Sequence, residues 1–188
     1  MTLFACKRLI LVLYPNSQHF SLPSALVFLL NQKLDITMSS ASGVEVEQAC
    51  IDEFSKIKMG KQYKFVIYRV SDDKKRIIVE TVGKKANQGQ STTEPEFAEF
   101  SQMLPADDCR YAVYDFSYPG IESQVKDKLL FLSWCPDTAP IKSKMLYASS
   151  KDGLKKKLEG ALKEVQCNDT SDLSFGNILE ACVRGEKM

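Results

Sequence analysis

The chain carries a single histidine, His19, close to its N-terminus. Everything after it lacks an imidazole, the commonest general base near neutral pH and a frequent metal ligand. The phosphate-cradling pattern G-x-x-x-x-G-K-[ST], the nucleophile elbow G-x-S-x-G and the zinc pattern H-E-x-x-H are missing as well. The acidic pairs Asp72-Asp73 and Asp107-Asp108 fall in turn-forming stretches, where solvation is their ordinary role. Neither sign of charge dominates, because 25 Lys and Arg face 24 Asp and Glu. That balance excludes the global basic field expected of a nucleic-acid or membrane-surface binder, so any basic patch is local. Long apolar runs are lacking too: those at 9–14 and 25–30 hold six residues each, far below the roughly 18 to 20 needed to span a bilayer. Six cysteines, Cys6, Cys50, Cys109, Cys135, Cys167 and Cys182, are scattered without a C-x-x-C pair. They read as free thiols of a reducing compartment rather than a disulfide framework. Cys135, between Trp134 and Pro136, is the best placed for a reactive role, but buried packing is the more ordinary account of it. These shortages point to a binding module rather than an enzyme.

Residues 1–37 differ from the rest, with only Lys7, Arg8, Lys33 and Asp35 charged. Lys7-Arg8 before an apolar run has the outline of a secretory signal, but that run is short of the roughly 7 to 15 residues expected and no A-x-A-like site follows. Met38 opens M-S-S-A-S-G-V like a fresh start. We expect 1–37 to be a disordered extension or an artefact of an upstream start, and 38–188 to be the functional domain.

Within 38–188 the spacing of Val46, Ala49, Cys50, Phe54 and Ile57 predicts an amphipathic helix over 44–59, ended by Gly60. Strands at 63–70 and 76–82 form a hairpin through S-D-D-K-K, and 83–93 is a loop rich in Gly, Asn, Gln, Ser and Thr. In that hairpin Lys74-Lys75-Arg76 has the outline of a weak nuclear-localisation patch, although a solvated turn is the plainer reading. A short helix at 94–103 turns Phe97, Phe100 and Leu104 to one side, with Pro95 in its first turn. A third strand follows at 110–116, a polar loop at 118–127, and a nearly all-apolar, hence central, fourth strand at 128–134. A long helix starts at Pro140, with Asp137 and Thr138 able to cap it. Ile141, Met145 and Ala148 share its apolar face, expected to lie on the sheet, while Lys142 and Lys144 point away. The run Ser149-Ser150-Lys151-Asp152-Gly153 predicts a kink or a second helix start. An edge strand at 164–167 and a last helix at 174–183, with Phe175, Ile178, Leu179 and Cys182 inward, complete the reading. The fold class is α/β of the α+β kind: a central mixed β-sheet of about five strands with helices on both faces.

Several words of this sequence, in order across 38–188, resemble the actin-depolymerising factor/cofilin family and its ADF-homology fold. They are A-S-G-V from Ala41, Y-K-F-V-I-Y from Tyr63, V-E-T-V-G from Val79, D-C-R-Y-A-V-Y-D from Asp108, K-L-L-F-L-S-W-C-P-D-T-A-P from Lys128, and A-P-I-K-S-K-M-L-Y-A-S-S-K-D from Ala139. The resemblance implies a monomeric, cytoplasmic protein of the actin cytoskeleton that needs no cofactor. It implies binding to actin monomers and filament sides, with severing and depolymerisation that speed turnover. The monomer-contact residues it implies are Ser42, Gly43, Val44, Lys142, Lys144, Met145, Lys151 and Asp152. A second surface, used only on filaments, would comprise Lys126, Lys128, Glu180 and Arg184. Many relatives place a basic residue after that glutamate, where this chain has Ala181, which puts severing strength in doubt. The resemblance further implies phosphorylation at Ser42, beside Ser39 and Ser40. A local patch of Lys151, Lys155, Lys156 and Lys157 is expected to take phosphoinositide head groups in competition with actin. The nearest alternative is a non-severing binder like coactosin or twinfilin, which the A-S-G-V start and single-domain length disfavour.

Overall fold

The structure is a computed structural model that describes residues 43–84, 89–120, 124–160 and 162–184. Six strands form one sheet in the order β1-β3-β2-β4-β5-β6. They are β1 (Glu45–Val46), β2 (Phe65–Val70), β3 (Arg76–Val82), β4 (Arg110–Pro119), β5 (Val125–Trp134) and β6 (Lys163–Cys167). The inner pairings β3-β2, β2-β4 and β4-β5 are antiparallel, while the outer strands β1 and β6 join in parallel. Four helices accompany them: α1 (Gln48–Lys58), α2 (Glu94–Ser101), α3 (Ile141–Lys157) and α4 (Phe175–Val183).

Side chains alternate along β2, and both of its faces are covered. Val66, Tyr68 and Val70 pack with Phe54 and Ile57 of α1 and with Tyr147 and Leu154 of α3. Phe65 and Ile67 pack on the other face with Phe97 and Phe100 of α2 and Ile178 of α4. The second face is rich in rings, with Phe97 edge-on to Tyr114 at 5.2 Å and to Phe116 at 5.9 Å between centroids. Such pairs add about 0.5–1.5 kcal/mol to the area each ring buries.

The mixed sheet with helices on both faces is as expected, but local assignments differ. Residues 45–46 form a strand rather than the start of a helix, because Glu45 N–H donates to Lys75 O and Glu47 N–H to Ile77 O along the edge of β3. This sixth strand delays α1 to Gln48. The left-handed residue after α1 is Lys61, with φ 45°, rather than Gly60. The polar loop expected at 118–127 is shorter, because ladder pairing continues through Ser117↔Asp127, Tyr118↔Lys126 and Pro119↔Val125. β5 lies one strand in from the edge, with β2 and β4 at the centre. No second helix start interrupts α3. The hydroxyls of Ser149 and Ser150 both donate back to Leu146 O, at 3.0 and 2.7 Å, so the serine pair is absorbed within one helix. Cys50, Cys109, Cys135, Cys167 and Cys182 are free thiols, as expected. Cys6 and residues 1–37 lie outside the described residues.

Candidate functional site

The last residues of β5 lead through a short turn into α3. The helix is capped at Pro140 with no side-chain hydrogen bond, so Asp137 and Thr138 do not cap it. The Thr138 hydroxyl instead donates to Ala106 O. Asp137 O accepts from Lys144 Nζ at 2.9 Å, with the Asp137 carboxylate 3.5 Å from the same ammonium. Lys144 is thus folded back over the turn, whereas Lys142 is exposed.

The side of α3 that faces the sheet is the opposite of the expected one. Tyr147, Ser150 and Leu154 are buried, while Ile141 is 75% and Met145 68% exposed, and Ala148 is exposed beside them. At about 100° per residue the two stripes lie on opposing sides of the helix. Tyr147 wins the inner position because its hydroxyl satisfies a buried backbone N–H while its ring is buried. Its hydroxyl accepts from Val70 N–H at 2.9 Å, and its carbonyl accepts from the Tyr111 hydroxyl. Tyr111 and Tyr147 also stand 4.9 Å apart ring to ring. Isoleucine and methionine carry no acceptor for the Val70 N–H. The outcome is an apolar stripe facing outward, flanked by Lys142 and continued by exposed Asp152.

The expected residues do not all gather there. Ser42 lies outside the described residues. Gly43 is exposed with φ 70°, but Val44 is only 4% exposed and belongs to the core. Lys151 pairs with Glu164 Oε1 at 2.6 Å, and Lys155 pairs with the other oxygen of the same carboxylate. Hydrogen bonds from these two lysines hold the Glu164 carboxyl below its usual range. Half of the expected phosphoinositide patch is therefore already matched by an acid within the fold, leaving Lys156 and Lys157 as its exposed members.

The second expected surface is brought together. Lys128 Nζ donates to Cys182 O at 2.5 Å, in the last turn of α4, and lies 3.4 Å from the Tyr118 hydroxyl. A lysine at this helix end both satisfies a carbonyl and opposes the dipole. Lys128 thus ties the start of β5 to the end of α4. Glu180 and Arg184 form an exposed ion pair one turn apart, and Lys126 is half-buried opposite Tyr118. Ala181 is half-buried.

Sequence reasoning missed Ile141 as a surface residue and Glu164 as the partner of the lysines. The first was available in the spacing of Tyr147 and Leu154, seven apart, which competes with the Ile141-Met145-Ala148 stripe for the same helix. The second required the pairing of β6 beside β5, which spacing does not encode.

Similarity to known proteins places the chain in a family. The profile of the family described as cofilin/tropomyosin-type actin-binding protein matches residues 43–183. The chain is 40% identical over 148 residues to cofilin of Saccharomyces cerevisiae, spanning 78% of this chain and 96% of that protein. It is 38% identical over 137 residues to actin-depolymerizing factor 1 of Arabidopsis thaliana, spanning 73% and 93%. The crystal structure of Streptomyces griseoflavus cofilin superposes with a TM-score of 0.66 at 36% identity, covering 77% of this chain and all of that one. The match runs from Gly43, before β1, to Val183, the last residue of α4, and the chain belongs to the cofilin/tropomyosin-type actin-binding protein family.

Proposed function

We propose that this protein binds actin monomers and filament sides, and that it severs and depolymerises filaments as a non-catalytic regulator of actin turnover in the cytoplasm. The observation that carries the reading is the outward stripe of Ile141 and Met145 beside Lys142. An exposed apolar pair on a helix fixed by its opposite side is a ready contact surface, and methionine adapts to a partner's contours. Lys142 supplies charge complementarity to an acidic partner, which governs encounter rate and register more than affinity. Because neither apolar residue supports the core, replacing both with Ser lowers affinity without lowering stability. A loss of about tenfold or more in monomer binding is expected, corresponding to about 1.4 kcal/mol. An unchanged affinity overturns this assignment.

Regulation is proposed at Ser42, where phosphorylation adds about −1.5 to −2 charge next to an acidic partner and weakens binding. An extension of 37 residues before Met38 would crowd the same contact. A chain beginning at Met38 is therefore expected to bind actin more tightly than the 188-residue chain, and equal affinities in co-sedimentation refute this. Lys156 and Lys157, with Lys151 and Lys155 shared with Glu164, form the proposed phosphoinositide contact.

A second reading, side binding without severing, is favoured by Ala181 and by the engagement of Lys128 with Cys182 O. The first leaves the second surface one basic residue short, and the second ties one of its lysines to the fold. Labelled filaments viewed by fluorescence microscopy separate the two. Fragmentation supports severing, decoration without breaks supports the second reading, and absence of binding sinks both.

A further inference from the structure

Cys109 immediately precedes β4 and Cys135 immediately follows β5, so they stand opposite one another one step beyond the Arg110↔Trp134 pair. Cys135 N–H donates to Cys167 O at 2.9 Å, on the β6 side. Its backbone polar groups therefore point away from β4, and the cysteine pair takes a non-hydrogen-bonded position in the ladder. At such positions the Cα atoms approach to about 4.5 Å, inside the range of about 4.4–6.8 Å that disulfides span. The two sulfurs are already 3.2 Å apart, and a bond at about 2.05 Å needs only a small side-chain rotation. Cys50, by contrast, turns its thiol to Ile77 O.

We propose that Cys109 and Cys135 form a reversible intramolecular disulfide when the protein meets a peroxide. The two thiols have different access. Cys135 is half-buried and meets solvent, whereas Cys109 is fully buried. Cys135 is therefore the thiol that is attacked first and Cys109 the one that resolves the product. The Cys135 thiolate attacks one peroxide oxygen, the O–O bond breaks, and the departing hydroxide takes up a proton to become water, leaving a sulfenic acid. The Cys109 sulfur then attacks the sulfenyl sulfur. An S–S bond forms, the S–O bond breaks, and the departing hydroxide leaves as a second water. Two thiols thereby lose two electrons and two protons to one peroxide. Burial raises the Cys109 thiol to about 12, so its proton passes to the departing hydroxide as the S–S bond forms rather than leaving beforehand.

The test uses the full chain, oxidised with a few equivalents of hydrogen peroxide, then denatured, alkylated and weighed. The expected product is about 2 Da lighter before alkylation and takes two fewer alkyl groups than the six cysteines allow. Cleavage after Arg110, Lys128 and Lys142 puts the two cysteines on separate peptides, so the bridge appears as a linked pair that dithiothreitol releases. Cys135→Ser, a change at the half-exposed position, is expected to abolish the linked pair. Cys109→Ser is expected to leave a sulfenic acid on Cys135 that dimedone traps. Full alkylation of the oxidised wild-type chain, or a linked pair involving any other cysteine, overturns the proposal, and this reading of the wild-type chain stands whether or not the variants fold.

Discussion

Tyr147 fastens α3 to the sheet through two polar contacts: its hydroxyl accepts from Val70 N–H, and its carbonyl accepts from the Tyr111 hydroxyl. Removing the hydroxyl alone leaves a buried backbone N–H without its acceptor, a cost of about 1–3 kcal/mol. Tyr147→Phe is therefore expected to lower the unfolding free energy by that amount, read as a lower urea midpoint at unchanged slope, while keeping the ring packing with Tyr111. A variant as stable as the wild type would show that the Val70 N–H finds another partner. The same residue explains what was hard to read from sequence. Ile141, Met145 and Ala148 are the more hydrophobic stripe, so apolar periodicity assigns them to the sheet. The chain buries a tyrosine and a serine instead: the tyrosine hydroxyl meets the Val70 N–H, which an aliphatic side chain leaves unsatisfied, and the serine hydroxyl finds its own acceptor in Leu146 O.

At the scale of elements, the strands and the helices α2 and α4 were legible because each has its own punctuation. Thr93 accepts from Glu96 N–H ahead of α2, and Ser174 accepts from Asn177 N–H ahead of α4. The ends of β4 and β5 were not legible, since their polar tips at Ser117 and Asp127 become strand only through mutual pairing. β1 has just two residues and exists only because the edge of β3 accepts it. The contact between α3 and β6 through Glu164 has the same character, and it carries a prediction. Glu164→Gln releases Lys151 and Lys155 from their shared carboxylate. Each lysine freed near an anionic membrane contributes about 1 kcal/mol. Vesicles containing a polyphosphorylated inositol lipid are expected to bind this variant several-fold more tightly than the wild type in a flotation assay. No gain would remove Lys151 and Lys155 from the lipid-binding patch.

For the molecule as a whole, the fold separates two surfaces that share little chemistry. One is apolar with a flanking lysine on α3, and the other is an ion-paired helix end on α4 held by Lys128. Their separation means they are open to independent change. Replacing Glu180 and Arg184, both more than half exposed, with Ala is expected to weaken co-sedimentation with filaments several-fold while leaving the affinity for monomers unaltered. A parallel fall in both would mean that α4 serves the monomer contact or the fold itself.

β5 joins the two surfaces directly. It carries Lys128, which holds the end of α4, and ends at Trp134, just before the turn into α3. The stretch from Lys128 to Trp134 rises about 20 Å, and the ladder to β4 along its whole length, joined by β6 from Leu130 onward, keeps it from bending or stretching. The strand therefore works as a gauge block: the distance between the two proposed contact points is a fixed length of backbone. A partner that offers its two complementary sites at any other spacing must itself deform to engage both.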